Sequence, residues 1–78
     1  MGEKINVTHG NGVVTEIPAI DIMGTSFVQK EQDRDSFYFI VFKQGGQQAW
    51  KISDFPSKEN AEVQRDHIDD EFSRIMSR

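Results

Sequence analysis

The sequence predicts an α+β fold: an antiparallel meander sheet of four or five strands, with one C-terminal helix packed on one face. Three observations carry this expectation. Short β-branched and aromatic runs alternate with Gly- and Asn-containing turn sequences between residues 4 and 53. From about 58 to 76 the apolar residues are instead spaced three and four apart. The chain has 78 residues and no cysteine, so a single domain over 1–78 is expected, without disulfide or thiolate–metal staples.

The elements follow in order. Ile5 to Val7 reads as a short strand and Val13 to Ile17 as its return. Asn11-Gly12 between them suits a type I′ turn, whose two central residues take positive φ. Pro18 cannot donate to a ladder and marks a strand end or an edge. Ile20-Asp21-Ile22-Met23 fits either a short strand or a connection closing one end of the sheet, with Gly24 permitting a bend. Thr25 to Lys30 reads as a strand centred on Phe27 and Val28, and the wholly polar Glu31-Gln32-Asp33-Arg34-Asp35 as a loop.

Ser36 to Lys43 is the strongest strand. Gly45-Gly46 turns the chain back, and Gln48 to Ser53 completes the sheet. After Asp54-Phe55-Pro56, Ser57 is placed to cap a helix, because its hydroxyl can accept from an early helical N–H. Asn60 stands where Glu or Gln would complete a capping box. Arg74 and Arg78 suit the negative end of the helix dipole. At 100° per residue, Ala61, Gln64, Arg65, Ile68, Phe72, Ile75 and Met76 share a face, while Val63 points away.

The central strand is apolar on both sides. Side chains alternate along a strand, so Phe37, Phe39 and Val41 share one face, and Tyr38, Ile40 and Phe42 the other. A two-residue Gly45-Gly46 turn would pair Val41 with Trp50, Phe39 with Ile52, Phe42 with Ala49, Ile40 with Lys51 and Tyr38 with Ser53. The helix is expected on the Trp50 face, whose partner strand is the more apolar. Tyr38, Ile40, Phe42 and Lys51 then form a second face. Either the sheet curls, with Val14, Ile17, Ile20 and Phe27 closing over it, or another protein chain covers it.

Glu62, Asp66, Asp69 and Asp70 lie within about 100° of one another on the helical wheel. This acidic face fits a solvated surface softened by Arg65–Asp69 and Asp70–Arg74 pairs; the sharper readings are a metal site or a mimic of nucleic-acid phosphates. His67, with Glu71 one turn on, has no second histidine or cysteine to make a zinc set, and reads as a surface residue. His9 has no constellation around it in sequence.

Other chemistries lack a motif. No Gly-x-Ser-x-Gly elbow and no glycine-rich phosphate cradle is present. Phe37 to Phe42 lacks the glycines of an RNA-stacking strand, and only Lys43 flanks it. The net charge is −4 and the nine basic residues are dispersed, which disfavours nucleic acid. The longest apolar run, six residues, is too short to span a bilayer, and Met1 to Asn6 has neither a signal-peptide pattern nor the Ser or Thr that Gly2 myristoylation would want. The expectation is a non-enzymatic, cytoplasmic protein-interaction domain with no cofactor and no metal, acting as a homodimer, adaptor or inhibitor. The alternatives are a nucleic-acid-associated protein, stacking single strands or mimicking phosphates, and a small metal or ligand binder.

Overall fold

The β-branched and aromatic runs form strands and the helical run forms one helix in the computed structural model, which describes residues 3–77. The order is β1 (Lys4–Thr8), β2 (Val14–Pro18), a 3-10 turn (Ala19–Asp21), β3 (Ile22–Thr25), β4 (Gln29–Lys30), β5 (Phe37–Lys43), β6 (Gln47–Phe55) and α1 (Lys58–Met76). Met1, Gly2 and Arg78, which bear on the lipidation and helix-dipole readings, lie outside the described residues. Among the described residues no helix is long and apolar enough to cross a membrane.

The fold is α+β, with antiparallel strands and a C-terminal helix, but the strands divide between two sheets. β1 and β2 form a hairpin, pairing Ile5 with Ile17 and Val7 with Thr15. β5 is the centre of the second sheet; β6 lies along one of its edges, and β3 and β4 follow each other along the opposite edge. The expected strand over Thr25 to Lys30 is interrupted, since residues 26–28 lie between β3 and β4.

The hairpin turn differs from the type I′ expectation. The His9 N–H donates to the Val13 carbonyl at 2.8 Å and the Gly12 N–H donates to the His9 carbonyl at 3.0 Å. Gly12 has φ of 90°, whereas Asn11 is not in the left-handed region. The loop is therefore three residues long and closed by a left-handed glycine, a common alternative to the two-residue turn. Asn11 serves through its side chain, whose Oδ1 accepts the Val13 N–H at 3.0 Å.

The β5–β6 turn also has three residues, Gln44 to Gly46, with φ of 98° at Gly45 and 82° at Gly46. It pairs Lys43 with Gln47 and Phe42 with Gln48, then a bulge at Ala49 takes up one residue. The longer loop and the bulge cancel, so Val41 meets Trp50, Ile40 meets Lys51 and Phe39 meets Ile52. Phe42 faces Gln48 in place of Ala49. A second bulge follows Ile52 and brings Phe55 opposite Phe37, where plain pairing would set Ser53 against Tyr38. One extra residue reverses the alternation of faces. Phe55 thereby turns inward and stacks on Phe39, with ring centroids 5.9 Å apart.

The core lies between the four-stranded sheet, the hairpin and the helix. Phe39, Val41, Ile52 and Phe55 meet Ile5, Val7 and Ile17 of the hairpin, Ala19 and Ile22 of the connection, and Ala61 and Ile68 of α1. Trp50, Phe37, Val28, Phe72 and Ile75 pack half-buried around this cluster. The helix thus covers the Trp50 face, while Met76 at its far end is exposed. Ser57 caps α1 by accepting the Asn60 N–H at 3.2 Å.

Candidate functional site

The outer face of the four-stranded sheet is opposite the helix, and β5 places Tyr38, Ile40 and Phe42 there by strand alternation. Lys51 joins them because it pairs with Ile40. Its ammonium lies 4.5 Å from the centroid of the Tyr38 ring and 2.8 Å from Glu31 Oε1, an ion pair without hydrogen-bond alignment. The Tyr38 hydroxyl donates to Gln29 Oε1 at 3.2 Å. A cation over an aromatic face and a neighbouring carboxylate together hold the lysine stem across the sheet.

Ile40, opposite Lys51, is only 9% exposed. Ser26 closes its other side: the Ser26 N–H donates to the Ile40 carbonyl, and the Ile40 N–H donates to Ser26 Oγ, both at 2.8 Å. Tyr38 and Phe42 remain half-buried. The expected curling does not provide this cover. Ile17 is buried in the core on the opposite side, while Val14, Ile20 and Phe27 are exposed.

Two exposed apolar residues lie on the segments beside β5. Phe27 is 83% exposed. It lies two residues before Gln29, whose side chain reaches Tyr38, while the intervening Val28 packs on the core. Met23, 51% exposed, is the extra residue of the bulge between Ile22 and Gly24, and Gly24 lies opposite Phe42. The sequence offered one signal for Phe27, namely its parity with Gln29 across an apolar Val28. It offered none for Met23, because a bulge erases parity.

The acidic helix face is arranged differently. Asp66, Asp69 and Asp70 are exposed and Glu62 is half-buried. Asp69 Oδ1 accepts from the Thr25 hydroxyl at 3.2 Å and so ties α1 to β3. Arg65 lies 3.6 Å from Asp66 and Arg74 pairs with Glu71, in place of the Arg65–Asp69 and Asp70–Arg74 pairs expected. The hydrogen bond and charge of Glu71 raise the Arg74 pKa above its usual value. Among the described residues no group of three or more His, Asp or Glu side chains is placed to hold a metal ion. His67 is exposed and lines a shallow cleft of about 220 Å³ with Lys4, Asn6 and Glu71.

A polar junction joins the hairpin tip to the end of β6. The Gly10 N–H donates to the Ser53 carbonyl at 3.0 Å, and the Ser53 N–H donates to His9 Nδ1 at 3.3 Å. His9 Nε2 is 2.9 Å from Thr15 Oγ1. Asp54 follows with φ of 67°, a left-handed conformation that Asp tolerates better than most residues. Its carboxylate accepts from Asn11 Nδ2 at 3.2 Å and pairs with Arg34 at 3.3 Å. A cleft of about 260 Å³ beside it is lined by His9, Gly10, Phe55, Asn60, Val63 and Gln64. Compared with protein-family models, curated proteins and solved structures, the chain matches none significantly.

Proposed function

We propose that this chain is a non-enzymatic protein-interaction domain, and that a second copy docks on the outer face of its sheet. The observation that carries this reading is the exposure of Phe27 and Met23, on the segments that run beside β5, together with the half-buried Tyr38 and Phe42 on the face that the helix leaves open. Clustered apolar groups on one face mark interfaces more often than scattered ones do. Burying a side chain of this size contributes about 1.5–3 kcal/mol. In a two-fold dimer the same patch meets itself. This patch carries both signs, Lys51 with Glu31, so it does not repel its own copy despite the net charge of −4.

A cytoplasmic setting belongs to the same proposal and is supported by the cysteine-free composition. Base stacking on these aromatics has less support, because Lys51, the lysine on the face, is already paired with a carboxylate.

Sedimentation over rising concentration tests the reading. The wild type is expected to dimerise reversibly. Phe27→Ser combined with Met23→Ser is expected to stay monomeric with an unchanged circular dichroism spectrum. Ile40 is a poor target for this purpose, since it is enclosed by its own chain. A wild type that stays monomeric at every concentration rules out the second copy.

A further inference from the structure

The hairpin tip is held on β6 by a bond that only a neutral imidazole can make. The Ser53 N–H has a single role, that of a donor, and it points at His9 Nδ1. Nδ1 is therefore unprotonated, and the ring proton sits on Nε2, where it donates to Thr15 Oγ1. The neighbouring Gly10 N–H donates to the carbonyl of the same Ser53. Residues 9 and 10 thus satisfy both backbone groups of Ser53, as one rung of an added strand would.

We propose that His9 is a pH-sensitive latch: neutral, it holds the hairpin tip against the edge of β6, and protonated, it releases that tip. A proton on Nδ1 replaces the acceptor with a second donor, so the two N–H groups oppose each other. β2 presents Thr15; β6 presents Ser53 and Phe55; α1 presents Asn60, Val63 and Gln64, all uncharged. Asp54, which follows Ser53, is paired with Arg34. Release would free the N–H and C=O of Ser53 at the end of the long edge strand, opening a short stretch of strand edge to a partner backbone.

Amide hydrogen exchange followed by NMR between about pH 8 and pH 5, expressed as protection factors, tests the latch. Protection at Ser53 and Gly10 is expected to fall about tenfold or more across that range, as expected when a hydrogen bond becomes a half-buried donor–donor contact. Protection at Phe39 and Val41 should hold. Ring nitrogen shifts at the upper pH should report a proton on Nε2. His67→Gln, which removes the other imidazole, should leave the response intact. His9→Gln, whose side-chain carbonyl can still accept but does not titrate, should flatten it. Constant Ser53 protection in the wild type, a neutral ring protonated on Nδ1, or an undiminished pH response in His9→Gln would each overturn the proposal.

Discussion

Gly10 and Asp54 touch through their backbones: a Cβ on Gly10 would lie 1.8 Å from the Asp54 carbonyl oxygen and 2.6 Å from the Phe55 Cα. The glycine is needed there for close approach, since its φ lies outside the left-handed region. Gly10→Ala should therefore destabilise the fold by about 2–4 kcal/mol, because the obstructing atoms are main chain and cannot rotate away. Gly12→Ala is the contrast. It meets nothing within 4 Å but sits at φ of 90°, so its cost should be about 1 kcal/mol. Urea unfolding of both variants checks the order, and a mild Gly10→Ala would mean that the hairpin tip shifts freely.

Two phenylalanines on opposite sides of the sheet should behave oppositely. Phe39 is fully buried and stacked on Phe55. Phe39→Ala should remove about 3–5 kcal/mol, enough to unfold much of a population of so small a domain. Phe27→Ala should alter stability by less than about 0.5 kcal/mol, because the ring is already in water. Thermal melts of the two variants at concentrations too low for self-association make the comparison.

Ser57→Ala removes the acceptor for the Asn60 N–H at the start of α1. A loss of about 1 kcal/mol is expected, with Ser57→Asp retaining most of the wild-type stability. Equal stability of Ser57→Ala and Ser57→Asp in denaturant would show that water replaces the cap at no cost.

Within the acidic face, Asp66 and Asp69 should separate. Asp66 is exposed, and its arginine contact at 3.6 Å is with its immediate neighbour. Asp66→Ala should leave stability unchanged or raise it by a few tenths of a kcal/mol, as repulsion from Glu62 and Asp70 is relieved. Asp69→Ala loses the bond from Thr25 and should cost about 0.5–1 kcal/mol. A marked loss at Asp66, or tight divalent-cation binding by calorimetry, would assign that face a role.

The parts of the fold that were legible in the sequence are those set by local periodicity. β5 was read from two interleaved apolar sets, and α1 from Ser57 and the spacing of Ala61, Ile68 and Phe72. The Val41–Trp50 and Phe39–Ile52 pairs were anticipated from a two-residue turn, yet they arise because a three-residue turn and the Ala49 bulge compensate. The bulges at Met23, Ala49 and Asp54 had no local signature. That at Asp54 is stabilised from outside its strand, by Gly10, Asn11 and Arg34. The outer face was legible as far as alternation reaches, to Tyr38, Ile40, Phe42 and Lys51. The partners of Lys51 and of the Ile40 backbone were not, because Glu31 and Ser26 come from segments whose path depends on tertiary structure.

The central position of β5 also governs how this chain can fail. Phe37 to Phe42 is an uncharged, β-prone run of the length that forms steric zippers. In the native fold it is flanked by β6 on one side and by β3 and β4 on the other, so no fibril can grow from its backbone while the sheet is intact. The outer strands are poor templates in its place: β6 is bulged and carries Lys51, and β4 has two residues. Fibril nucleation should therefore follow the fraction of unfolded chain. Phe39→Ala should shorten the thioflavin lag time even though it removes an aromatic from the run. The protease-resistant core of those fibrils should map to the sequence that the native sheet keeps between its neighbours.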